Sequence, residues 1–325
     1  MFLCGNDNLA FTDSLDIFGR ALTSLRMSGS DRSKTKVYVY SGLGCSDMSS
    51  SMLQAALDKH VDLNIHQVEP ISGEKIINGT WRTDAALMIF GGGFDLGFIE
   101  SLGKKGVQSV HDYVWADGGA YLGLCAGGYF ACDSIAFDKA GPLEVCGERH
   151  LKFYPGQGIG PAYPGFEYKS NKGAVAASTD FSCHQPLGKL GTICLYTDGG
   201  GYFTGHSKNG DKKTASDGAE KWNEKPDSSE GVSNGIDVER VKVEVLAQFQ
   251  DLPNSPAAIV KCHVGNRGGK AILSGVHFEY FPDKLVPGEK FLSPSVVSKL
   301  LACDEERQLL LVSLLSDLGL NIRKQ

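Results

Sequence analysis

The segment YLGLCAGGYF, with Cys125 at its centre, has the composition of a nucleophile turn. A short apolar strand runs into G-x-C-x-G, and small residues follow that suit a helix start. Gly123 and Gly127 would let a cysteine sit on a strained, exposed strand-to-helix corner, because larger neighbours would clash there. A helix N-terminus just beyond it would favour a thiolate and offer backbone N–H groups to an oxyanion. A buried core cysteine is the plainer alternative, since most free cysteines are buried. Glycines on both sides weigh against it. A thiol needs a base, and the base needs an orienting group. The segment GVHFEY supplies both at the end of an apolar strand. His277 and Glu279 are two residues apart, so an extended chain places them on one side. Glu279 would then hold the imidazole in the tautomer that accepts the thiol proton. Alone, this H-x-E would read as a chance strand end; the cysteine turn gives it meaning.

A third element is FGGGFD, Phe90 to Asp95. It follows a continuous apolar run, at the carboxyl edge where open α/β sheets bind ligands. Glycines there let backbone N–H groups approach a substrate oxygen, and Asp95 closes the segment as a substrate-side candidate. Two more clusters, Tyr163-Pro164-Gly165 and Asp198 to Gly201, are candidates for lining a pocket, with Tyr163 and Gly200 the residues chosen. Either could equally be turn chemistry. The remaining histidines lack matched partners. Cys183-His184 and Cys262-His263 are adjacent pairs, and neighbours on a strand point to opposite faces, which argues against a shared metal. No CxxC pair and no G-x-x-x-x-G-K-[ST] phosphate loop is present, so neither a metal nor a cofactor is expected.

These residues need a scaffold that brings three strand ends to one edge. Val37 to Gly42 reads as a strand, followed by a helix from Ser49 to Ser51 onward, with Leu53, Ala56 and Leu57. Val61 to Val68 alternates like a second strand. Ala85 to Phe90 reads as a central strand buried on both faces, Val107 to Trp115 as a helix, and Ala120 to Leu124 as another buried strand. Alternating strands and helices imply a doubly wound, mostly parallel sheet. Beyond Leu151 the texture changes. Short strands at Thr192 to Tyr196, Val241 to Gln248, Ala257 to His263 and Lys270 to Val276 suggest an antiparallel extension of the same sheet. The expected organisation is a helical N-terminal extension over 1–35, carried by Leu15, Phe18, Leu22 and Leu25. An α/β domain follows over 36–285, with a solvated, disordered insertion at 206–236. A helical C-terminal extension covers 286–325.

Composition narrows the function classes. The chain has 325 residues, and acidic side chains outnumber basic ones 38 to 32, for a net charge of −6. No basic excess exists to attract a phosphate backbone, so nucleic acid is not an expected partner. Hydrophobic residues make up 42 %, enough for a sizeable core. No apolar run approaches the roughly 20 residues needed to span a bilayer, so no membrane association is expected. The first residues carry no basic segment ahead of an apolar core, which argues against a signal peptide. The nine cysteines are odd in number and scattered, which reads as free thiols in a reducing, cytoplasmic setting.

With these elements in order, the chain resembles the class I glutamine-amidotransferase-like superfamily. More closely it is similar to the N-terminal domain of eukaryotic biotin–protein ligases, here as a free-standing protein. The resemblance covers about residues 36–282. It rests on FGGGFD, GGAYLGLCAGGYFA, FYPGQGIGPAYPGF, LYTDGGGYF, VLAQFQDLP and AILSGVHFEY taken together. It implies a flavodoxin-like sheet. It puts Cys125 at the nucleophile position and His277 and Glu279 at the base and orienting positions. Gly92, Gly93 and the N–H of Ala126 fall where the oxyanion hole is built. Two positions depart from the pattern. Phe278 stands where amidotransferases usually have the proline of His-Pro-Glu, and Gly128 where many have a glutamine. Both point away from free glutamine as substrate. No GRGRxG-type biotin and ATP motif is present, so the chain is not expected to biotinylate a protein itself.

Two functions follow as expectations. One is a cysteine enzyme that hydrolyses a small amide or transfers its acyl group. The other is a non-catalytic regulatory module that binds a small metabolite, or that acts with a biotin ligase in trans. A redox-sensing thiol is a third, lesser reading.

Overall fold

The computed structural model describes residues 34–205, 241–285 and 291–324. The helix expected around Leu15 to Leu25 and the insertion at 206–236 lie outside the described residues. The order begins β1 (Lys36–Tyr40), α1 (Asp47–His60), β2 (Gln67–Ile71), α2 (Gly73–Asn78), β3 (Ala85–Phe90) and α3 (Asp95–Trp115). Next come β4 (Ala120–Leu124), α4 (Ala126–Phe130), β5 (Cys132–Phe137), β6 (Val145–Glu148), β7 (Tyr154–Gly160) and β8 (Val175–Asp180). The chain ends with β9 (Thr192–Thr197), β10 (Tyr202–Thr204), β11 (Val241–Phe249), β12 (Ala257–Val264), β13 (Gly269–Ser274), α5 (Pro294–Leu301) and α6 (Asp304–Asp317).

One sheet joins all these strands, with the path β2-β1-β3-β4-β13-β12-β10-β7-β5-β6. From β2 to β13 every neighbouring pair is parallel, as in a flavodoxin-like doubly wound sheet. The antiparallel part begins where β13 meets β12, and β11, β8 and β9 continue it as a branch. The parallel half alternates inside itself. Val37, Val39, Leu87, Ile89, Leu122 and Leu124 enter one buried layer, whereas Tyr38, Tyr40, Met88, Phe90 and Tyr121 enter the other. Period-2 side-chain placement with both faces covered produces the near-continuous apolar runs of the sequence. Leu310, Leu311, Leu314 and Leu315 of α6 belong to the first layer, so the C-terminal helices are part of the core.

One element differs from the sequence reading. Val61 to Val68 is not a strand; the strand lies later, at Gln67–Ile71, in parallel register with Lys36–Tyr40. Val61 closes α1 by donating its N–H to the carbonyl of Leu57, at 2.9 Å. The carbonyl of Asp62 accepts from Ile65 and His66, and its side chain accepts from the N–H of Asn64 at 3.0 Å. Turn chemistry at Asp62 and Asn64 overrides the alternation, and Leu63 and Ile65 are left exposed. The helix expected from Val107 also starts earlier, at Asp95, with a kink at Gly103 where φ is 54°.

Candidate functional site

β4 lies between β3 and β13 in the parallel sheet. Its carboxyl end runs into Cys125, which has φ 51° and ψ −107°, and α4 begins at the next residue. This left-handed backbone is strained for a residue with a side chain, by about 1–3 kcal/mol. The surroundings hold it there. The N–H of Cys125 donates to the carbonyl of Ser274 at 2.8 Å, and that of Gly127 to Gly91 at 3.1 Å. A Cβ on Gly123 would lie 2.4 Å from the carbonyl oxygen of Gly127, and one on Gly127 would lie 2.0 Å from that of Phe90. The G-x-C-x-G spacing is therefore a requirement of backbone packing. α4 has only five residues, too short for a strong dipole. The positive group beside the sulfur is His277.

His277 and Glu279 follow the end of β13, the strand parallel to β4, so topology brings all three side chains to one sheet edge. Nδ1 of His277 and Oε1 of Glu279 are 2.6 Å apart. With Nδ1 committed, Nε2 is the nitrogen left for the Cys125 thiol, which acts electrostatically on the ring. Glu279 is fully buried, and Cys125 is 9 % exposed. Burial alone would depress the basicity of His277. The charge of Glu279, the Cys125 thiol and the hydrogen bond to Glu279 outweigh it, and the imidazole pKa is pushed up to about 10. Tyr280 packs on the imidazole with ring centroids 4.3 Å apart, and Tyr196 lies at 6.0 Å. The His277 N–H donates to the carbonyl of Tyr196 at 2.7 Å, pinning the segment to β9.

The glycine segment after β3 meets the same edge. A Cβ on Gly92 would sit 2.9 Å from Cε1 of His277. The Gly92 N–H already donates to Oγ of Ser49, at 2.8 Å. Among the described residues, no acceptor is seen for the N–H of Gly93 or of Ala126. Gly93 has φ 147°, and a Cβ there would come within 1.9 Å of the carbonyl oxygen of Gly44.

The other expected site residues divide by what they touch. Asp95 spends its carboxylate on a buried ion pair with Nε of Arg149, at 2.6 Å. That pair fixes the start of α3 and so the loop before it. Tyr163 donates its hydroxyl to Asp251 at 2.6 Å and packs edge-on against Phe249. It is held at the end of β11 and not against the Cys125 pair. Gly200 is a close backbone approach: a Cβ there would lie 1.9 Å from the carbonyl oxygen of Gly275, two residues before His277.

Sequence reasoning missed Ser49, Tyr196, Tyr280 and Arg307. Arg307 of α6 is buried and donates from Nη1 to the carbonyl of Phe278, at 2.7 Å, between His277 and Glu279. Its guanidinium also pairs with Asp304 and lies 4.9 Å from the Phe281 ring centroid. No local motif marks such a residue. A lone arginine in the apolar stripe of a helix is the only trace it leaves in the sequence. Among the described residues, no group of three His, Cys, Asp or Glu side chains is placed to hold a metal ion. No helix among them is long and apolar enough to cross a membrane.

The family model described as "Biotin-protein ligase, N terminal" matches residues 35–325. The chain belongs to that family. Among curated proteins, it is 33 % identical over 215 residues to an uncharacterized protein of Chlamydia muridarum (strain MoPn / Nigg), covering 66 % of this chain and 68 % of that one. It is 30 % identical over 248 residues to a biotin–protein ligase of Schizosaccharomyces pombe (strain 972 / ATCC 24843). That match covers 75 % of this chain and 33 % of the yeast protein. The chain thus corresponds to about a third of the yeast ligase.

Proposed function

We propose that this family member is a cysteine-dependent enzyme of the amidotransferase-like type, which hydrolyses a small amide or transfers its acyl group. The observation that carries the reading is Cys125 at a left-handed strand-to-helix turn, on the sheet edge shared with a His277 whose Nδ1 is held by buried Glu279. In this reading the thiol passes its proton to Nε2 of His277, and sulfur attacks the amide carbonyl carbon. The new C–S bond forms as the carbonyl π electrons move to oxygen. The N–H groups of Gly93 and Ala126 receive that charge, joined by Gly92 once Ser49 turns away. Collapse breaks the C–N bond, and imidazolium gives its proton to the leaving nitrogen. Water, deprotonated by His277, then attacks the thioester, the C–S bond breaks, and the thiol is restored.

A screen of small primary amides tests this by ammonia release. Wild type is expected to turn over at least one, and Cys125→Ala is expected to lose turnover while keeping its melting temperature within a few degrees. Equal activity in Cys125→Ala would remove the thiol from the reaction. A second reading rests on the match to a third of a biotin–protein ligase. There the domain is a regulatory module that binds a metabolite or acts with a ligase in trans. It predicts ligand binding that survives Cys125→Ala, with no ammonia released by either protein.

A further inference from the structure

The turn between β9 and β10 carries a carboxylate that the acyl-transfer steps do not use. Asp198 directly follows β9, two residues after Tyr196, the residue bridged to His277. In extended chain this spacing puts the Asp198 and Tyr196 side chains on one side, and the Tyr196 ring is the one facing His277. The turn has little freedom to move. A Cβ on Gly200 would strike Gly275, one on Gly201 would lie 2.2 Å from the carbonyl oxygen of Ile159, and Thr197 Oγ1 donates to the Gly275 carbonyl at 3.0 Å. Oδ1 of Asp198 is buried and has no hydrogen-bond partner among the described residues.

An aromatic wall continues from the same turn. Gly199 lies against the Phe166 ring, where a Cβ would come within 2.6 Å. Phe166 meets Tyr168 edge-on, at 4.9 Å between centroids, and Tyr168 meets Phe94 edge-on at 5.9 Å. Phe94 and Tyr168 are both partly open to solvent. Tyr168 is close enough to Cys125 for the thiol's charge to act on its hydroxyl.

The charges around Asp198 do not neutralise it. Among the described residues His277 and the Tyr196 hydroxyl act on it, and His277 is already paired with Glu279. Arg149 holds its Nε on Asp95. A half-buried carboxylate with one buried, unpaired oxygen is a candidate for a functional site, because a bound cation would offset the desolvation of its charge. Rings and a carboxylate at one site favour an ammonium group, through hydrogen bonding and attraction to the ring faces.

We propose that Asp198 receives a protonated amino group of the substrate, so that the site acts on amides or other acyl compounds bearing an ammonium group near the scissile carbonyl. This rests on the reading of Cys125 as the nucleophile. It adds a specificity-determining residue and a substrate class.

Charge-selective thiol labelling separates the two claims. Cys125 would be modified at pH 8 with methyl methanethiosulfonate (neutral), its 2-aminoethyl form (cationic) and its 2-sulfonatoethyl form (anionic), with site-resolved mass spectrometry. Free 2-mercaptoethanol sets the intrinsic reactivity of each reagent. The expected cation-to-neutral rate ratio at Cys125 exceeds that of mercaptoethanol by tenfold or more, with the anionic reagent disfavoured. Asp198→Asn, or Asp198→Ser should the first variant fail to fold, is expected to return the ratio to the mercaptoethanol value. A cation preference that survives either variant, or its absence in wild type, overturns the proposal. The nucleophile reading is judged apart, by the neutral reagent alone. If the neutral rate at Cys125 is no faster than at Cys146 and is unchanged in His277→Ala, that reading fails and takes the substrate class with it.

Discussion

Asp198 sits where burial opposes its charge. Burial raises its pKa to about 7, against the partial relief given by His277 and by the Tyr196 hydroxyl. The ordinary value for an unfolded chain is about 3.9. Between those two values the folded protein binds a proton that the unfolded chain has lost. Stability therefore falls as pH rises across that window, and the burial cost is fully in force above pH 7. Asn carries no such cost. Asp198→Asn is expected to match wild type in urea midpoint near pH 4, to exceed it by a growing margin up to pH 7, and to keep that margin at pH 8. A margin independent of pH would show that the carboxyl ionises as freely folded as unfolded. Cys125, His277 and Glu279 were legible in the sequence because each announces itself locally, by flanking glycines or by spacing of two. Asp198 was legible only as part of a glycine-rich cluster. Its environment comes from Phe166, Tyr196 and His277, which chain distance separates.

At the scale of elements, the catalytic reading depends on helices that follow the α/β domain expected over 36–285. The sequence pattern placed a helical extension after residue 285, and α5 and α6 are there. Nothing in the pattern said that α6 would reach the His277 segment through Arg307. That carbonyl of Phe278 sits in a stretch without regular strand pairing beyond the His277 bridge, so the guanidinium supplies a fixing point the sheet does not. A buried hydrogen bond from a charged donor contributes about 1.5–3 kcal/mol. Arg307→Ala is expected to lower the urea-unfolding free energy by about that amount. It should also slow Cys125 labelling at pH 7 severalfold, with Arg307→Lys restoring part of both. Loss of stability with unchanged labelling would make Arg307 a packing residue alone. The misplaced strand at Val61 to Val68 teaches the complementary lesson. Alternation of Val61, Leu63 and Ile65 was genuine, but two hydrogen bonds to the Asp62 carbonyl and two to its side chain form within five residues. Local turn chemistry needs no partner strand, so it prevails over a pattern that does.

At the scale of the molecule, the parallel half of the sheet explains why three distant segments converge. β3, β4 and β13 are adjacent and parallel, so Phe90-Gly91-Gly92, Leu124-Cys125 and the chain beyond Ser274 all emerge at one edge. The order of motifs in the sequence was enough to foresee that convergence, since parallel strands place their carboxyl ends together. The antiparallel branch was foreseen only as a set of short strands. Its use, holding His277 through β9 and Asp198 through the following turn, emerges from the tertiary arrangement.

The central claim is that Cys125 and His277 act as a coupled nucleophile and base. The most direct measurement is the rate of Cys125 alkylation by iodoacetamide from pH 5.5 to 9.5, resolved by mass spectrometry, in wild type and His277→Ala. An imidazole that holds its proton up to about pH 10 puts a positive charge beside the attacking sulfur. Wild-type Cys125 is therefore expected to react faster than Cys125 of His277→Ala through most of this range, with the gap narrowing as pH nears 10 and the imidazole loses its proton. The advantage of wild type over His277→Ala should be largest near pH 6.5. Parallel profiles in the two proteins, both climbing with pH, would contradict the account.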